Sequence, residues 1–377
     1  MVVTDNFQER VKRASQVGRL LLRRPPSSPK YHLVFEGGTG RFLSFAVLML
    51  NREIPKDRRG DPWFEDGNII LLTDLEESGI AFKVHRGVLS RHSEIFKTMF
   101  ELAQPPDAEN VDDCPVVRMP DLPNELSSLI IALYDGVGLI DDFFYVAGIL
   151  RLSSKYCITH LRTQAIRHLT QTWSNTLRGH DEMLELALKT PAVDNLSYPF
   201  VHPLHVLNLA RATDVRVVMP SALYFLSLYP LTDLLRGDHP KLQVEHPSRP
   251  SSDLTAQDLE EYTLMFQYRI NKMLDFVRRT CAERTPAKDC TNDGQCVKPF
   301  TRLAARLSLE WVARTGPLHF MVQAMDEVVS YPNICVPCRK EFRQDVTAAR
   351  QEAWKSLPSA IGLPPWEELE ASDLEGA

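Results

Sequence analysis

Residues 61–102 read DPWFEDGNIILLTDLEESGIAFKVHRGVLSRHSEIFKTMFEL. A strand is expected over 68–73, a turn over 76–79 and a second strand over 80–84. In the second strand Phe82 and Val84 alternate with Ala81, Lys83 and His85, the period of two of a half-covered strand. From Val88 the period becomes helical. Val88, Leu89, His92, Phe96, Met99 and Phe100 make one apolar stripe, which predicts a single amphipathic helix over 86–102. Ser93 is small and sits at the edge of that stripe. His85 falls at the strand-to-helix junction, where its side chain can hydrogen-bond a neighbouring backbone group. His85 and His92 could be read as a proton relay or metal pair. Glu94 is the only carboxylate in the first helical turns and no thiol stands nearby, so structural roles for both histidines are the better reading.

The segment Pro115-Val116-Val117-Arg118-Met119-Pro120 is a short strand between prolines, which lack the amide that extends a ladder. Asn124 is a candidate cap for a helix with Leu126, Leu129, Ile130 and Leu133 on its apolar face. Tyr134-Asp135-Gly136 closes that helix. Asp141-Asp142 opens another over 143–152, where carboxylates suit the positive helix N-terminus. A further helix is expected to run to about Trp173.

The run Phe82, Val84, His85, Arg86, Leu89, Ser93, Phe96 resembles the F-x-V-H-[KR]-x-x-L-x-x-x-S-x-x-F signature of BTB/POZ domains. Leu133-Tyr134-Asp135-Gly136 and L-x-x-S-x-K-Y-x-I-x-x-L-R, ending at Arg162, are similar to later parts of that family's pattern. The resemblance implies an α+β fold, a short mixed sheet flanked by helices, followed here by an all-helical C-terminal region. It implies an interaction module and no catalysis. The start Gly67-Asn68-Ile69-Ile70 replaces the Asp and alternating valines of many relatives. That form and the downstream sequence resemble a fungal, basidiomycete-type group. A hydrophobic-x-Glu cullin-contact motif is not evident. Glu101 follows Phe100 directly, and Ala103-Gln104-Pro105-Pro106 stands where the motif would lie.

The chain of 377 residues suits two or three domains, and its apolar and charged fractions of 44% and 24% are those of a globular protein. A formal charge of −6 without a long basic run disfavours general nucleic-acid binding. Phe42 to Leu50 is the most apolar run and is too short to cross a bilayer. Seven cysteines, thinly spread, do not suggest a secreted disulfide framework. An intracellular setting, cytoplasmic or nuclear, is expected. Charges at Asp5, Glu9, Arg10, Lys12 and Arg13 precede any apolar run, which argues against a signal peptide.

The expected organisation is an N-terminal extension over 1–60, the BTB/POZ domain over 61–173, a helical continuation over 174–236, a linker over 237–255, and a C-terminal helical region over 256–377. Glu36-Gly37-Gly38-Thr39-Gly40-Arg41 is glycine-rich but lacks the Lys-Ser/Thr of a phosphate loop. In the continuation, Val206, Leu207, Leu209 and Ala210 share a helix, residues 214–218 break it, and Pro220 opens the next. The strings N-L-A-R (208–211) and P-S-A-x-Y (220–224) resemble the fungal group. His202 and His205 form an H-x-x-H pair without a third ligand. A stripe of Leu259, Tyr262, Phe266, Ile270, Met273, Leu274 and Val277 predicts a helix over 256–284. Helices are also expected over 300–314, 317–329 and 339–357, with an acidic, frayed tail beyond the prolines.

Cys290, Cys296, Cys335 and Cys338 are the candidate ligands of a structural zinc ion. Cys335-Val336-Pro337-Cys338 is a C-x-x-C at a helix start, and four thiolates from two loops can hold zinc tetrahedrally. The first pair is more widely spaced than zinc loops favour, and unligated, half-buried thiols are the alternative. No other cofactor is expected. Three functions remain in view: a non-catalytic scaffold binding protein partners or itself through the BTB domain, a substrate adaptor of a cullin-type ubiquitin ligase, and a transcriptional regulator. No zinc-finger, helix-turn-helix or basic-zipper pattern supports the last. G-x-S-x-G, H-E-x-x-H and dinucleotide fingerprints are absent, which argues against an enzyme. Neither a membrane nor a nucleic acid is an expected partner.

Overall fold

The computed structural model describes residues 54–73, 79–102, 109–136, 142–189, 201–310 and 315–375. The glycine-rich 36–41 run, the apolar 42–50 run, the centre of the 76–79 turn, Ala103 to Pro106, Asp141 and the end of the 300–314 helix lie outside the described residues.

Strand β1 (Ile69–Thr73) pairs antiparallel with β2 (Ala81–Val84), with Leu71 opposite Phe82. It also pairs in parallel with β4 (Cys114–Met119), with Ile70 opposite Val116. The short β3 (Asn110–Val111) forms a hairpin with β4 across Asp112 and Asp113, both at positive φ. The sheet is therefore mixed, in the order β2-β1-β4-β3. A parallel neighbour needs a crossover, and helices α1 (Arg86–His92) and α2 (Glu94–Glu101) lie on the chain between β2 and β4.

The single helix expected over 86–102 is two helices. Ser93 interrupts them with extended backbone, φ −144° and ψ 117°. Its hydroxyl accepts from Phe96 N at 3.1 Å and donates to Tyr156 O at 2.6 Å. A serine at this position satisfies one orphan amide of α2 as its N-cap. The stripe of Leu89, Phe96 and Phe100 still points inward because the break only redirects the axis, and all three are buried.

Strand β2 also differs from the expected half-covered strand: all four of its residues are buried. Ile69, Leu71, Phe82 and Val84 face the helices. Ile70, Ala81 and Cys114 face the other way, under Ile54, Trp63, Leu72, Val111 and Val116. The segment from Ile54 to Phe64 covers that side. Gly60 N donates to Ala81 O at 2.8 Å and Phe64 N to Lys83 O at 2.9 Å. Gly60 is required for this approach, since a Cβ there would fall 2.2 Å from the Phe82 ring. Thus β2 carries no free edge for strand addition, and β3 is only two residues long.

Helices α3 (Pro123–Asp135), α4 (Phe143–Lys155), α5 (Thr159–Thr172) and α6 (Leu177–Lys189) follow. Asn124 is not a cap. Leu122 takes the N-cap place and Pro123 the first turn, so Asn124 Nδ2 donates instead to Ser248 Oγ at 2.8 Å. Gly136 closes α3 at φ 84°, and Asp142 caps α4 by accepting from Phe144 N at 2.8 Å.

The break at 214–218 separates α7 (Pro203–Ala212) from α8 (Met219–Leu226), with Pro220 in the first turn of α8. A short α9 (Leu231–Arg236) ends on Gly237 in left-handed conformation. Helix α10 (Ala256–Asp275) begins with a capping box between Thr255 and Asp258. Instead of continuing to 284 as an α-helix, it passes into a π-helical turn (Phe276–Ala282). Its buried face is Tyr262, Met265, Arg269 and Met273; Leu274 is exposed. Helices α11 (Val297–Glu310), α12 (Pro317–Val329) and α13 (Val336–Lys355) complete the helical region.

The acidic end is not frayed through residue 375. Helix α14 (Trp366–Glu370) and a π-helical turn (Ala371–Glu375) dock on the core. Trp366 stacks on Trp354 with ring centres 5.4 Å apart, and its Nε1 donates to Trp354 O at 2.9 Å. Asp373 accepts from Arg216 N at 2.6 Å and Val217 N at 2.7 Å, just ahead of α8. Apolar anchors and a paired carboxylate offset the repulsion among the other acids of the tail.

One core joins the helix-facing side of the sheet to α3–α8, α10 and residues 353–369. A second is built from the end of α10, α11, α12 and α13.

Candidate functional site

The residues of the sequence signature are structural. His85 N donates to Tyr134 Oη at 3.1 Å, and His85 Nδ1 is 2.9 Å from the same oxygen. His85 Nε2 lies 3.3 Å from Asp66. The expected partner of His85 was a backbone group; the structure supplies a tyrosine 49 residues away instead. Burial raises the Tyr134 phenol above its ordinary range. Arg86 donates to Phe100 O at 2.7 Å, satisfying a carbonyl at the end of α2. His92 does not meet His85: its ring lies 4.8 Å from that of His160. These contacts hold β2, α1, α2 and α3 in place and bring no reactive pair together.

A second tie was not legible in the sequence. Asp121, buried, accepts from Lys155 Nζ at 2.6 Å and from the Tyr156 hydroxyl. Burial pushes the Tyr156 phenol well up, and the bond to Asp121 adds to the rise. Tyr156 O in turn receives the Ser93 hydroxyl, so α1–α2, the end of β4 and the end of α4 meet at one point.

The histidines of the H-x-x-H pair each hold a structural contact. His202 Nδ1 accepts from Leu204 N at 3.2 Å as the N-cap of α7, and His205 Nε2 lies 3.2 Å from Lys241 O. Burial holds the His202 imidazole down at about 3, with His239 nearby adding to the effect. The N-L-A-R string is a brace. Asn208 Nδ2 donates to Ser251 O at 2.7 Å, and Arg211 pairs with Asp258 and, at 2.5 Å, with Glu261 of α10.

Two surfaces could do something beyond hold the fold. The first is on α2. Phe96 and Phe100 face inward, but Ile95 and Leu102 are exposed and Met99 is half-buried. Spacings of four and three place Ile95, Met99 and Leu102 on one stripe beside the core-facing one. Its chemistry suits contact with another apolar surface.

The second is a cluster of thiols. The sulfur atoms of Cys290, Cys296, Cys335 and Cys338 all lie within 4.8 Å of one another. Cys296 and Cys338 are buried; Cys290 and Cys335 are half-buried. Cys335 is the N-cap of α13 and Cys338 lies in its first turn. Cys296 immediately precedes α11. The loop from Cys290 turns back through Asp293 and Gly294, both at positive φ. Burial pushes the Cys338 thiol up to about 12. Burial acts in the same direction on Cys335, but hydrogen bonds from backbone amides and neighbouring thiols outweigh it and bring that thiol down to about 6. The four sequence-predicted ligands are therefore brought together, on an approach from three elements that spacing alone could not reveal.

Residues 69–172 match the BTB/POZ domain family. The match spans β1 to the end of α5 and covers somewhat more than a quarter of the chain. No curated protein matches the chain. The matched region is a BTB/POZ domain with a small mixed sheet flanked by helices, and BTB/POZ domains are protein–protein interaction modules that also mediate self-association. Among the described residues, no helix is long and apolar enough to cross a membrane.

Proposed function

We propose that the protein is a non-catalytic scaffold whose BTB/POZ domain binds a second copy of the chain through the exposed face of α2. The observation that carries this reading is the apolar stripe of Ile95, Met99 and Leu102 within the matched domain. Blunted sheet edges support it, because strand addition is the main alternative route to pairing. The helical region beyond the domain would then present a further surface for protein partners. Seven cysteines without a disulfide suit an intracellular setting, cytoplasmic or nuclear. The N-L-A-R and P-S-A-x-Y strings support kinship with a fungal group.

Size-exclusion chromatography with light scattering on the full chain tests this, with and without a cullin N-terminal domain. The expected result is a dimer at micromolar concentration. An Ile95→Lys, Leu102→Lys variant should be a monomer with an unchanged circular-dichroism spectrum and melting temperature. A wild-type monomer over the whole concentration range would refute self-association. A stable cullin complex formed by the monomer would replace the scaffold with a ubiquitin-ligase adaptor.

A further inference from the structure

Two of the sulfur–sulfur separations match the edge of a metal tetrahedron, and all four sulfurs lie within 4.8 Å of one another. Cys290 Sγ lies 3.8 Å from Cys296 Sγ and 3.7 Å from Cys335 Sγ. A tetrahedral ion with metal–sulfur bonds of about 2.3 Å sets its sulfurs about 3.8 Å apart. A disulfide would bring two of them to about 2.05 Å. No sulfur is that near another, and all seven cysteines are free.

The surroundings suit thiolates. Cys335 N lies 3.3 Å from Cys296 Sγ, Ala287 N 3.4 Å from Cys338 Sγ, and Asn292 Nδ2 3.8 Å from Cys296 Sγ. Cys296 abuts the N-terminus of α11, and Cys335 caps that of α13, each a fourteen- or twenty-residue helix. Helix N-termini and amide donors stabilise negative sulfur. Among the described residues the cluster contains no histidine or carboxylate. An all-sulfur set selects a soft cation and rejects magnesium and calcium.

We propose that Cys290, Cys296, Cys335 and Cys338 bind one zinc ion as four thiolates, forming a closed structural site. Binding is a ligand exchange: the hydrated ion gives up its bound waters to solvent, each thiol that still carries a proton releases it to solvent, four Zn–S bonds take their place, and nothing is oxidised or reduced. The ion then ties the N-termini of α11 and α13 together at the rim of the second core. In that same core the Phe300 and Phe342 rings lie 5.2 Å apart under the guanidinium of Arg284. Cys281, fully buried in the same core, takes no part.

Elemental analysis of untagged, full-length protein purified without chelator should give one zinc per chain. Titration of reduced, metal-free protein with Co²⁺ should give thiolate charge-transfer and tetrahedral d–d bands that saturate at one equivalent and vanish on adding zinc. Cys335→Ser should bind at least tenfold more weakly, whereas Cys281→Ser should keep full stoichiometry. Removing zinc should cost α11 and α13 their hydrogen-exchange protection while β1, β4 and α4 keep theirs. Should Cys335→Ser fail to fold, the wild-type cobalt titration decides alone. Less than a tenth of an equivalent of zinc together with absent cobalt bands would overturn the site. Stoichiometric iron, seen by its visible absorption, would overturn the zinc assignment.

Discussion

Replacing Ser93 with Ala should destabilise the BTB/POZ domain by about 2–4 kcal/mol, far beyond what deleting one oxygen suggests. Two losses add up. The N-cap bond to Phe96 N disappears, and a lost serine cap costs about 1 kcal/mol. The Tyr156 carbonyl loses its donor, and a buried acceptor left unpaired costs about 1–3 kcal/mol. At 2% exposure, Ser93 leaves no room for water to replace either bond. The volume removed is too small for a cavity penalty to matter. The domain shares one core with the helical region, and a cooperative unit of more than about 150 residues shifts by about 2–4 °C per kcal/mol, so the midpoint should fall by about 4–16 °C. Urea unfolding followed by circular dichroism gives the energy, and hydrogen exchange at Phe96 locates it. Ser93→Gly separates the two losses: glycine costs only a few tenths of a kcal/mol at a cap but leaves Tyr156 O equally unpaired. It should therefore fall between wild type and Ser93→Ala. A loss below about 0.5 kcal/mol for Ser93→Ala would refute the double role of the hydroxyl.

Arg211→Gln should cost about 3 kcal/mol, because the Asp258 carboxylate is fully buried and would lose its cation while keeping only its two bonds to Thr255. Chemical denaturation reads this, and a loss under 1 kcal/mol would show that the brace between α7 and α10 is dispensable. Stability should also fall on acidification. Burial holds His180 and His202 down at about 3, so below pH 6.5 the unfolded chain binds protons that the folded chain refuses. Their contribution is complete above pH 6.5 and is lost between there and pH 3, at up to about 1.4 kcal/mol per pH unit for each histidine. His202→Asn keeps a side-chain acceptor for the cap of α7 and should remove one histidine's share of that slope; an unchanged slope would count against His202 as its source.

Much of this protein was determined by its sequence because the signals are local. The switch from period two to helical period between Val84 and Leu89 marks β2 and α1. Asp142, Gly136 and Pro220 mark helix ends through backbone chemistry that acts within a few residues. The C-x-x-C at Cys335 marks a helix start in the same way. Tertiary structure decided whatever depended on partners distant in the chain. The break at Ser93 was hidden because an apolar stripe runs through it unbroken, and the serine's second bond goes to a carbonyl 63 residues on. Full burial of β2 required the segment around Gly60 to lie over it, which its alternation could not announce. The acidic tail reads as frayed until Asp373 finds two amides more than 150 residues back. The four sulfurs show the division most clearly. Cysteine identity and one favoured spacing made them candidates, but only the packing of α11 and α13 in one core, with the loop from Cys290 closing over it, brings the four sulfurs within 4.8 Å of one another. Sequence patterns report each residue's own backbone and face, whereas a site also needs the separation between faces, and that comes from the whole fold.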